Sequence, residues 1–498
     1  MVRRVTWARM IDRILWQEYN RFDNQSRASG FAEESMRIKK KANGMRIIIV
    51  GCGKVGHTLT EHLVGEGHDI TVIDTNESVI HNIAEAFDVL GIVGNGASLS
   101  VLEESGLAQA DLVIAVTGSD ELNLLCCTLA RKVGGDLAAI ARVRNPDYSE
   151  ARAYLRQQLG LSMIINPELE AAKEIARNLA SPQALSISAF AKGHAELVRF
   201  KIPEGNVLCG KNLMQLSGIF KFNFLVCAVE REDHVTIPDG SFMLKGGDEI
   251  TIIVTAADVH RIFESIDMRS EAIRSCMIIG GGRSSYYLSR ILLERKMEVK
   301  VIETSRARCE ELKSLLPEAL VICGDGSDED VLREEGIENM EAFVPLTGLD
   351  EENILLTLFA KRIPGLKTIT KINRITFKDV IEGLELGSVV YPKNISSEMI
   401  MAYVRARQNS IGSNVETLYH MFDNRVEAIE FHVQKDAPVI DIPLMELKKK
   451  DGLLIACISR AGKIIFPRGQ NVIKAGDTVI VVTTHKGFGD ISDILEQR

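Results

Sequence analysis

Six residues, Gly51-Cys52-Gly53-Lys54-Val55-Gly56, hold three glycines at the spacing of a loop that can cradle a diphosphate. They follow the β-branched run Ile47-Ile48-Ile49-Val50 and open an amphipathic stretch over residues 57–63. In that setting the first glycine permits a tight turn. The second keeps a Cβ out of the path of a pyrophosphate, and the third lets a helix pack closely on a sheet. Main-chain N–H groups and the positive end of the helix then face the phosphates. Asp74 ends the next apolar run. A carboxylate there accepts hydrogen bonds from a ribose diol and repels a 2′-phosphate, which favours NAD over NADP. The alternative is a glycine turn that serves packing alone, with Asp74 as a helix cap.

The same residue types return further along the chain. Gly280-Gly281-Gly282-Arg283-Ser284-Ser285 keeps the first two glycine positions, puts Ser285 at the third, and is followed by Glu303 in the place of Asp74. Lys54 and Arg283 set a cation beside each loop. Serine is small, so helix–strand packing survives at some cost; a structural pseudo-site without nucleotide is the alternative for this copy. Thr117-Gly118, with Asp120 and Asn123 behind it, recurs as Thr347-Gly348 with Asp350 and Asn353. The plain reading of Asp120 is an N-cap. Arg142 in the fifth apolar run corresponds to Lys371; a cation at a strand end suits an anionic ligand in the crevice, and a surface salt bridge is the competing account. Gly94-Asn95-Gly96-Ala97 and Gly324-Asp325-Gly326-Ser327 are matching turns that either shape an adenine pocket or start a helix.

The elements that must hold these groups follow from hydrophobic period. Residues 45–50, 70–74, 89–93, 111–116 and 138–143 read as strands, with helical patterns such as 57–63 and 78–86 between them. Alternating strands and helices predict a parallel, doubly wound sheet of Rossmann type. Residues 196–202, 223–229 and 248–254, with a turn at Pro238-Asp239-Gly240, read as a small α+β domain. Long helical patterns over 167–179 and 395–407 lead into the small domains. Gly51, Gly53 and Asp74 recur as Gly280, Gly282 and Glu303 at a shift of 229 positions, and Lys245-Gly246-Gly247-Asp248 recurs as Lys474-Ala475-Gly476-Asp477 at the same shift. A near-constant shift over such a length marks an internal repeat. The expected organisation is therefore a basic extension over 1–44, a Rossmann-like domain over 45–165, a small α+β domain over 186–270, and second copies over 274–392 and 413–498.

Composition bounds the function. The chain has 498 residues, 46% of them hydrophobic and 26% charged, the profile of an ordinary globular protein. A net charge of -9 gives no support to nucleic-acid binding. No apolar run has the length of a membrane span. Nine scattered cysteines read as reduced core thiols, and none falls at zinc spacing. The first 44 residues carry ten Lys and Arg against five Asp and Glu, and Trp7, Ile11, Ile14 and Leu15 would share one face of a short helix. This segment reads as a flexible extension or as sequence upstream of a start at Met45; a docking or membrane-surface arm is the other reading. H-E-x-x-H, G-x-S-x-G and Walker A signatures are absent, and no acid/base pair repeats beside the crevices, which favours sensing over turnover.

Ile48–Gly56 of the loop, Asp69-Ile70-Thr71-Val72-Ile73-Asp74-Thr75-Asn76 and Ile140-Ala141-Arg142-Val143-Arg144-Asn145-Pro146-Asp147-Tyr148, set in this repeated order of domains, resemble the TrkA family with its tandem RCK (or KTN) modules. The resemblance covers residues 45–498; the family begins near Met45, so the extension is a departure. It implies a homo-oligomeric peripheral subunit at the inner face of the cell membrane. Such a subunit binds NAD(H) or ATP/ADP and gates a Trk-type membrane potassium transporter, with no catalytic residue and no metal. It further implies nucleotide contacts from Gly51, Cys52, Gly53, Lys54, Val55, Asp74, Thr117, Gly118 and Arg142. In the second copy the implied contacts are Gly280, Gly281, Gly282, Arg283, Ser284, Glu303, Thr347, Gly348 and Lys371. An NAD-dependent oxidoreductase, or a regulator of another cation transporter or antiporter, remain as alternatives.

Overall fold

β-Branched runs alternate with amphipathic ones through the first third of the chain, and in the computed structural model they form a parallel six-stranded sheet. Described are residues 44–135, 137–216, 220–268, 272–373, 381, 383–384, 386–409, 415–422 and 425–496; the basic segment 1–43, with its helical pattern, lies outside them. The strands are β1 (Arg46–Val50), β2 (Asp69–Asp74), β3 (Leu90–Val93), β4 (Leu112–Ala115), β5 (Ala138–Arg142) and β6 (Met163–Ile165), in the order β3-β2-β1-β4-β5-β6. β1 pairs with β2 on one side and β4 on the other, with Ile47 opposite Ile70 and Leu112. Ile47–Val50 and Leu112–Ala115 are buried, as central strands covered on both faces must be, which is why they read as unbroken apolar runs. Strand order reverses between β1 and β4, so a crevice opens beyond their carboxyl ends.

Next come the antiparallel strands β7 (Ser186–Phe190), β8 (Ala195–Lys201), β9 (Phe224–Arg231), β10 (His234–Thr236) and β11 (Glu249–Thr255), in the order β10-β9-β11-β8-β7. The second parallel sheet holds β12 (Ser275–Ile279), β13 (Glu298–Glu303), β14 (Leu320–Cys323), β15 (Ala342–Pro345), β16 (Lys367–Lys371) and β17 (Ser388–Val390), ordered β14-β13-β12-β15-β16-β17. A last antiparallel sheet follows: β18 (Val415–Met421), β19 (Val426–His432), β20 (Leu453–Arg460), β21 (Lys463–Ile465) and β22 (Thr478–Thr483), ordered β18-β19-β22-β20-β21. Both parallel sheets share one strand order, and both antiparallel sheets share another, so the repeat in sequence is a repeat of topology. The three-residue strands β6, β10, β17 and β21 have no period of their own; pairing at a sheet edge makes them strands.

The described residues divide into two compact units, 44–142 with 153–164, and 143–152 with those from 165 onward. Helix Pro167–Ala180, which by sequence only leads into the first small domain, belongs to the second unit. Its Ala171, Ala172, Ile175, Ala176 and Leu179 pack into one core with Tyr286, Tyr287, Leu288 and Leu292 of helix Arg283–Glu294. Alanines on the contact face let the two helices approach closely. Each small domain is closed by an identical clamp. Arg231 Nε and Nη2 lie 2.7 Å from the two oxygens of buried Asp248, and Asp248 also accepts from Lys245 N at 2.8 Å. Arg460 and Asp477 repeat the fork at 2.8 and 2.7 Å, with Lys474 N at 2.8 Å. The two small sheets bury faces against each other: Leu197, Cys227 and Ile253 share a core with Val426, Cys457, Ile480 and Val482. Ile250, Ile252 and Val254 of β11 serve the separate core on the other face.

Candidate functional site

The loop after β1 leaves the sheet at Gly51, where φ is +98°. A Cβ at Gly51 would stand 2.8 Å from the Thr117 main chain, and one at Gly56 would stand 2.0 Å from Gly51 O. These two glycines are thus required by close backbone approach. Gly53 differs: its φ is -66°, open to any residue, and a Cβ there would meet no atom within 4 Å. Gly118 faces open space in the same way. Gly53 is also the N-cap of helix Lys54–Gly65, and no side chain caps that end, whereas Asn76 caps the following helix and Ser119 the one after β4. A cradle with room over Gly53, at an uncapped helix N-terminus, fits a diphosphate.

Asp74 lies across this loop. Its Oδ2 accepts from Cys52 N at 2.7 Å and its Oδ1 from Asn76 N at 2.9 Å. Asp74 is therefore no helix cap; Asn76 is, accepting from Ser78 N at 3.0 Å. The Cys52 side chain is buried, and desolvation followed by the nearby Asp74 charge pushes its thiol up to about 12, so it stays protonated. Val55 is buried as well, while Lys54 is exposed on the first helical turn.

The second copy reaches the same geometry with different residues. Gly280 has φ +92°, Gly282 stands uncapped with open space around it, and Gly348 likewise. Glu303 Oε2 accepts from Gly281 N at 2.6 Å and Oε1 from Ser305 N at 2.7 Å. Glutamate is one methylene longer than aspartate, and the space is found at Gly281: a Cβ there would lie 3.0 Å from Glu303 Cγ and 2.7 Å from Leu312. Cys52 with Asp74, and Gly281 with Glu303, are two solutions to one packing problem. Ser285 at the third glycine position is 1% exposed and its Oγ has no hydrogen-bond partner, the cost of a hydroxyl where the first copy has none. Ser284 is buried and Arg283 exposed. Arg308, which sequence reasoning missed, donates from Nε to Gly281 O at 2.6 Å. Its counterpart by the repeat is Val79, so nothing in the first copy announces it.

Across each crevice, a buried asparagine joins the ends of two strands. Asn123 Oδ1 accepts from Thr117 N at 2.8 Å and Thr117 Oγ1 at 2.7 Å, and its Nδ2 donates to Arg142 O at 2.9 Å. Asn353 does the same with Thr347 N at 3.0 Å, Thr347 Oγ1 at 2.9 Å and Lys371 O at 3.1 Å. The repeat flagged both asparagines; their role as staples needed the structure. Arg142 Nη2 donates to Thr117 O, and Lys371 Nζ to Leu346 O at 3.1 Å, so both cations stand at the crevice edge. The N-cap of helix Asp120–Gly134 is Ser119 rather than Asp120, and Asp350 accepts from Asn373 N and Nδ2, each at 2.9 Å. Among the described residues, no three His, Cys, Asp or Glu side chains group as metal ligands.

Two Rossmann-type crevices in one chain, each followed by a small antiparallel domain, define a protein of tandem nucleotide-binding-fold modules. The TrkA-N domain family matches residues 47–167 and 276–392, and the TrkA-C domain family matches residues 197–267 and 428–496. The chain belongs to the TrkA family. It is 32% identical over 457 residues to "Trk system potassium uptake protein TrkA homolog 1" of Methanosarcina mazei, covering 90% of this chain and 99% of that protein. It is 31% identical over 445 residues to "Trk system potassium uptake protein TrkA" of Haemophilus influenzae, covering 89% and 96%. Among solved structures, the GsuK RCK domain superposes with a TM-score of 0.58 at 17% identity, covering 88% of this chain and 92% of that one. The GsuK channel bound to NAD superposes at 0.58, covering 88% and 77%.

Proposed function

We propose that this chain is a nucleotide-sensing regulatory subunit of a Trk-type potassium uptake system. It binds NAD(H) or ATP/ADP in its two crevices and gates a membrane potassium transporter. One observation carries the reading: Gly53 with Asp74, and Gly282 with Glu303, form the same open cradle and carboxylate twice. The diphosphate lies on the main-chain amides of Gly53–Val55 and Gly282–Ser284, with Lys54 and Arg283 alongside. The ribose diol donates to Asp74 or Glu303. Thr117, Gly118 and Arg142, and their partners Thr347, Gly348 and Lys371, form the far wall. The polar groups at that wall hold strand ends together, which suits binding and shape change better than proton transfer. The subunit acts as a homo-oligomer, cytoplasmic and peripheral on the inner face of the membrane. Among the described residues no helix is long and apolar enough to cross it.

Gating requires the nucleotide to bind two domain arrangements unequally; a coupling of about 1–3 kcal/mol is typical and changes activity several-fold to a hundredfold. The experiment pairs calorimetry of NAD and ADP binding to the full chain with potassium uptake in a strain lacking it. Loss of a charge-assisted ribose contact in D74A weakens binding at the first crevice roughly tenfold to a hundredfold, and E303A does so at the second. The same variants shift uptake. Unchanged affinities in both would sink the assignment, and normal uptake without the chain would sink the partner.

A further inference from the structure

Two of the nine cysteines have a setting unlike the rest. Cys309, in helix Arg306–Leu315, is 2% exposed, and its Sγ lies 3.3 Å from Glu303 O and 3.8 Å from Ile322 O. Cys323, the last residue of β14, is exposed, pairs in register with Glu303, and has its Sγ 3.9 Å from Thr304 O. Both sulfurs therefore sit around the main chain of Glu303–Thr304, and Cys309 Sγ rests against the Ile322 carbonyl, whose peptide bond leads directly into Cys323. The corresponding residues of the first copy are Ile80 and Val93, so the pair is private to the second crevice. Cys227 and Cys457 share one core, but both are fully buried between the small sheets.

We infer that Cys309 and Cys323 form a redox-responsive thiol pair that closes to a disulfide on reaction with a low-molecular-weight disulfide and thereby alters the ribose side of the second crevice. The second clause rests on the nucleotide reading above. The exposed Cys323 thiolate attacks one sulfur of the small disulfide, breaks its S–S bond and releases one thiolate. Cys309 then gives its proton to water and attacks Cys323 Sγ, breaking the mixed disulfide and releasing the second thiolate. The chain loses two protons and two electrons; the small disulfide takes up the electrons and becomes two thiols. Cys323 is exposed and Cys309 buried, so Cys323 meets the small disulfide first and Cys309 is the resolving thiol. Desolvation, with the Cys323 side chain beside it, holds the Cys309 thiol up at about 11.

A disulfide brings the sulfurs to about 2.05 Å, well inside their contact distance as thiols. The approach removes the Cys309 donor from Glu303 O and draws the end of β14 toward Thr304. The Glu303 carboxylate, which holds Gly281 N and Ser305 N, is the next group along. Shifts of about 1 Å at such a contact change binding markedly.

The test uses full-length chain, reduced and then exposed under native conditions to oxidised glutathione. The chain is then unfolded in excess alkylating reagent, which traps buried free thiols as they are exposed, and peptides are mapped by mass. The expected product links Cys309 to Cys323 with the other seven cysteines alkylated. C309S stops at a glutathione adduct on Cys323, and C323S stays reduced at Cys309. Both thiols recovered free, or wild-type chain halting at the Cys323 adduct, overturns the pair. ADP calorimetry in the G53A background, which leaves only the second crevice, is expected to show a several-fold loss of affinity on oxidation. A disulfide with unchanged affinity overturns the link to the crevice. Failure of the reduced G53A chain to bind ADP at all overturns the nucleotide reading of that crevice and leaves the mapped disulfide standing.

Discussion

Gly53 and Gly56 differ in what one added methyl group would meet, and that difference separates ligand binding from folding. An alanine at Gly53 projects into open space at a φ that alanine adopts freely, so G53A keeps the thermal midpoint of the parent and loses nucleotide binding at the first crevice. At Gly56 the methyl meets Gly51 O at 2.0 Å, and G56A destabilises the chain by about 1–3 kcal/mol, read by chemical denaturation. Equal midpoints for the two variants would contradict the loop geometry. Gly51 and Gly56 were legible from sequence because close backbone approach dictates them. Arg308 and the Cys52/Gly281 exchange were not, since each is a response to a neighbour that is distant in the chain.

At the scale of elements, the repeated clamp between the arginine at the end of one strand and the aspartate that opens another is the most uniform feature. Asp248 and Asp477 are each 1% exposed, and each accepts two guanidinium bonds and a main-chain amide. D248A leaves a lysine amide and a two-thirds covered arginine without their acceptor. A loss of about 2–3 kcal/mol is expected, and the same from D477A, because the two environments match. Denaturation midpoints that differ widely between the two variants would show that the small domains are not equivalent. Sequence flagged Lys245–Asp248 and Lys474–Asp477 only as a repeated string. The arginine partner lies 17 residues back on another strand, and no local period points to it.

For the whole molecule, stability depends on acids held between helices Pro167–Ala180 and Pro392–Asn409. Desolvation pushes the Glu174 carboxyl up to about 7 against the opposing pull of Arg177. Desolvation and then Glu174 push Glu398 up to about 8 against Arg405, and burial with both glutamates raises the Tyr419 hydroxyl to about 12. Burial also raises Glu196, the nearby acid on β8. The folded chain keeps protons on Glu174 and Glu398 that the unfolded chain, titrating near the ordinary carboxyl value of 4.5, has released. Their contribution is complete below about pH 4.5 and is lost as pH rises through about 8. The thermal midpoint should therefore fall between about pH 5.5 and about pH 8.5, and the double variant E174Q/E398Q should flatten that fall. Asp239, Asp258 and Asp325 have lowered values, so their loss lies at more acid pH and leaves this window clear. A midpoint that rises with pH across the window would refute the assignment.

Sequence by itself determined the repeat, the two parallel sheets, the glycine loops and the carboxylates that end β2 and β13. All of these are set by local periods and by backbone space, which neighbouring residues report directly. Only the tertiary structure decided that helix Pro167–Ala180 packs on helix Arg283–Glu294, that the two small sheets share a buried face, and that Cys309 and Cys323 both rest on the main chain around Glu303. An apolar helix face or a strand buried on both sides states that it must be covered. What covers it is settled by shape and burial between segments a hundred or more residues apart, and no period in the chain encodes that choice.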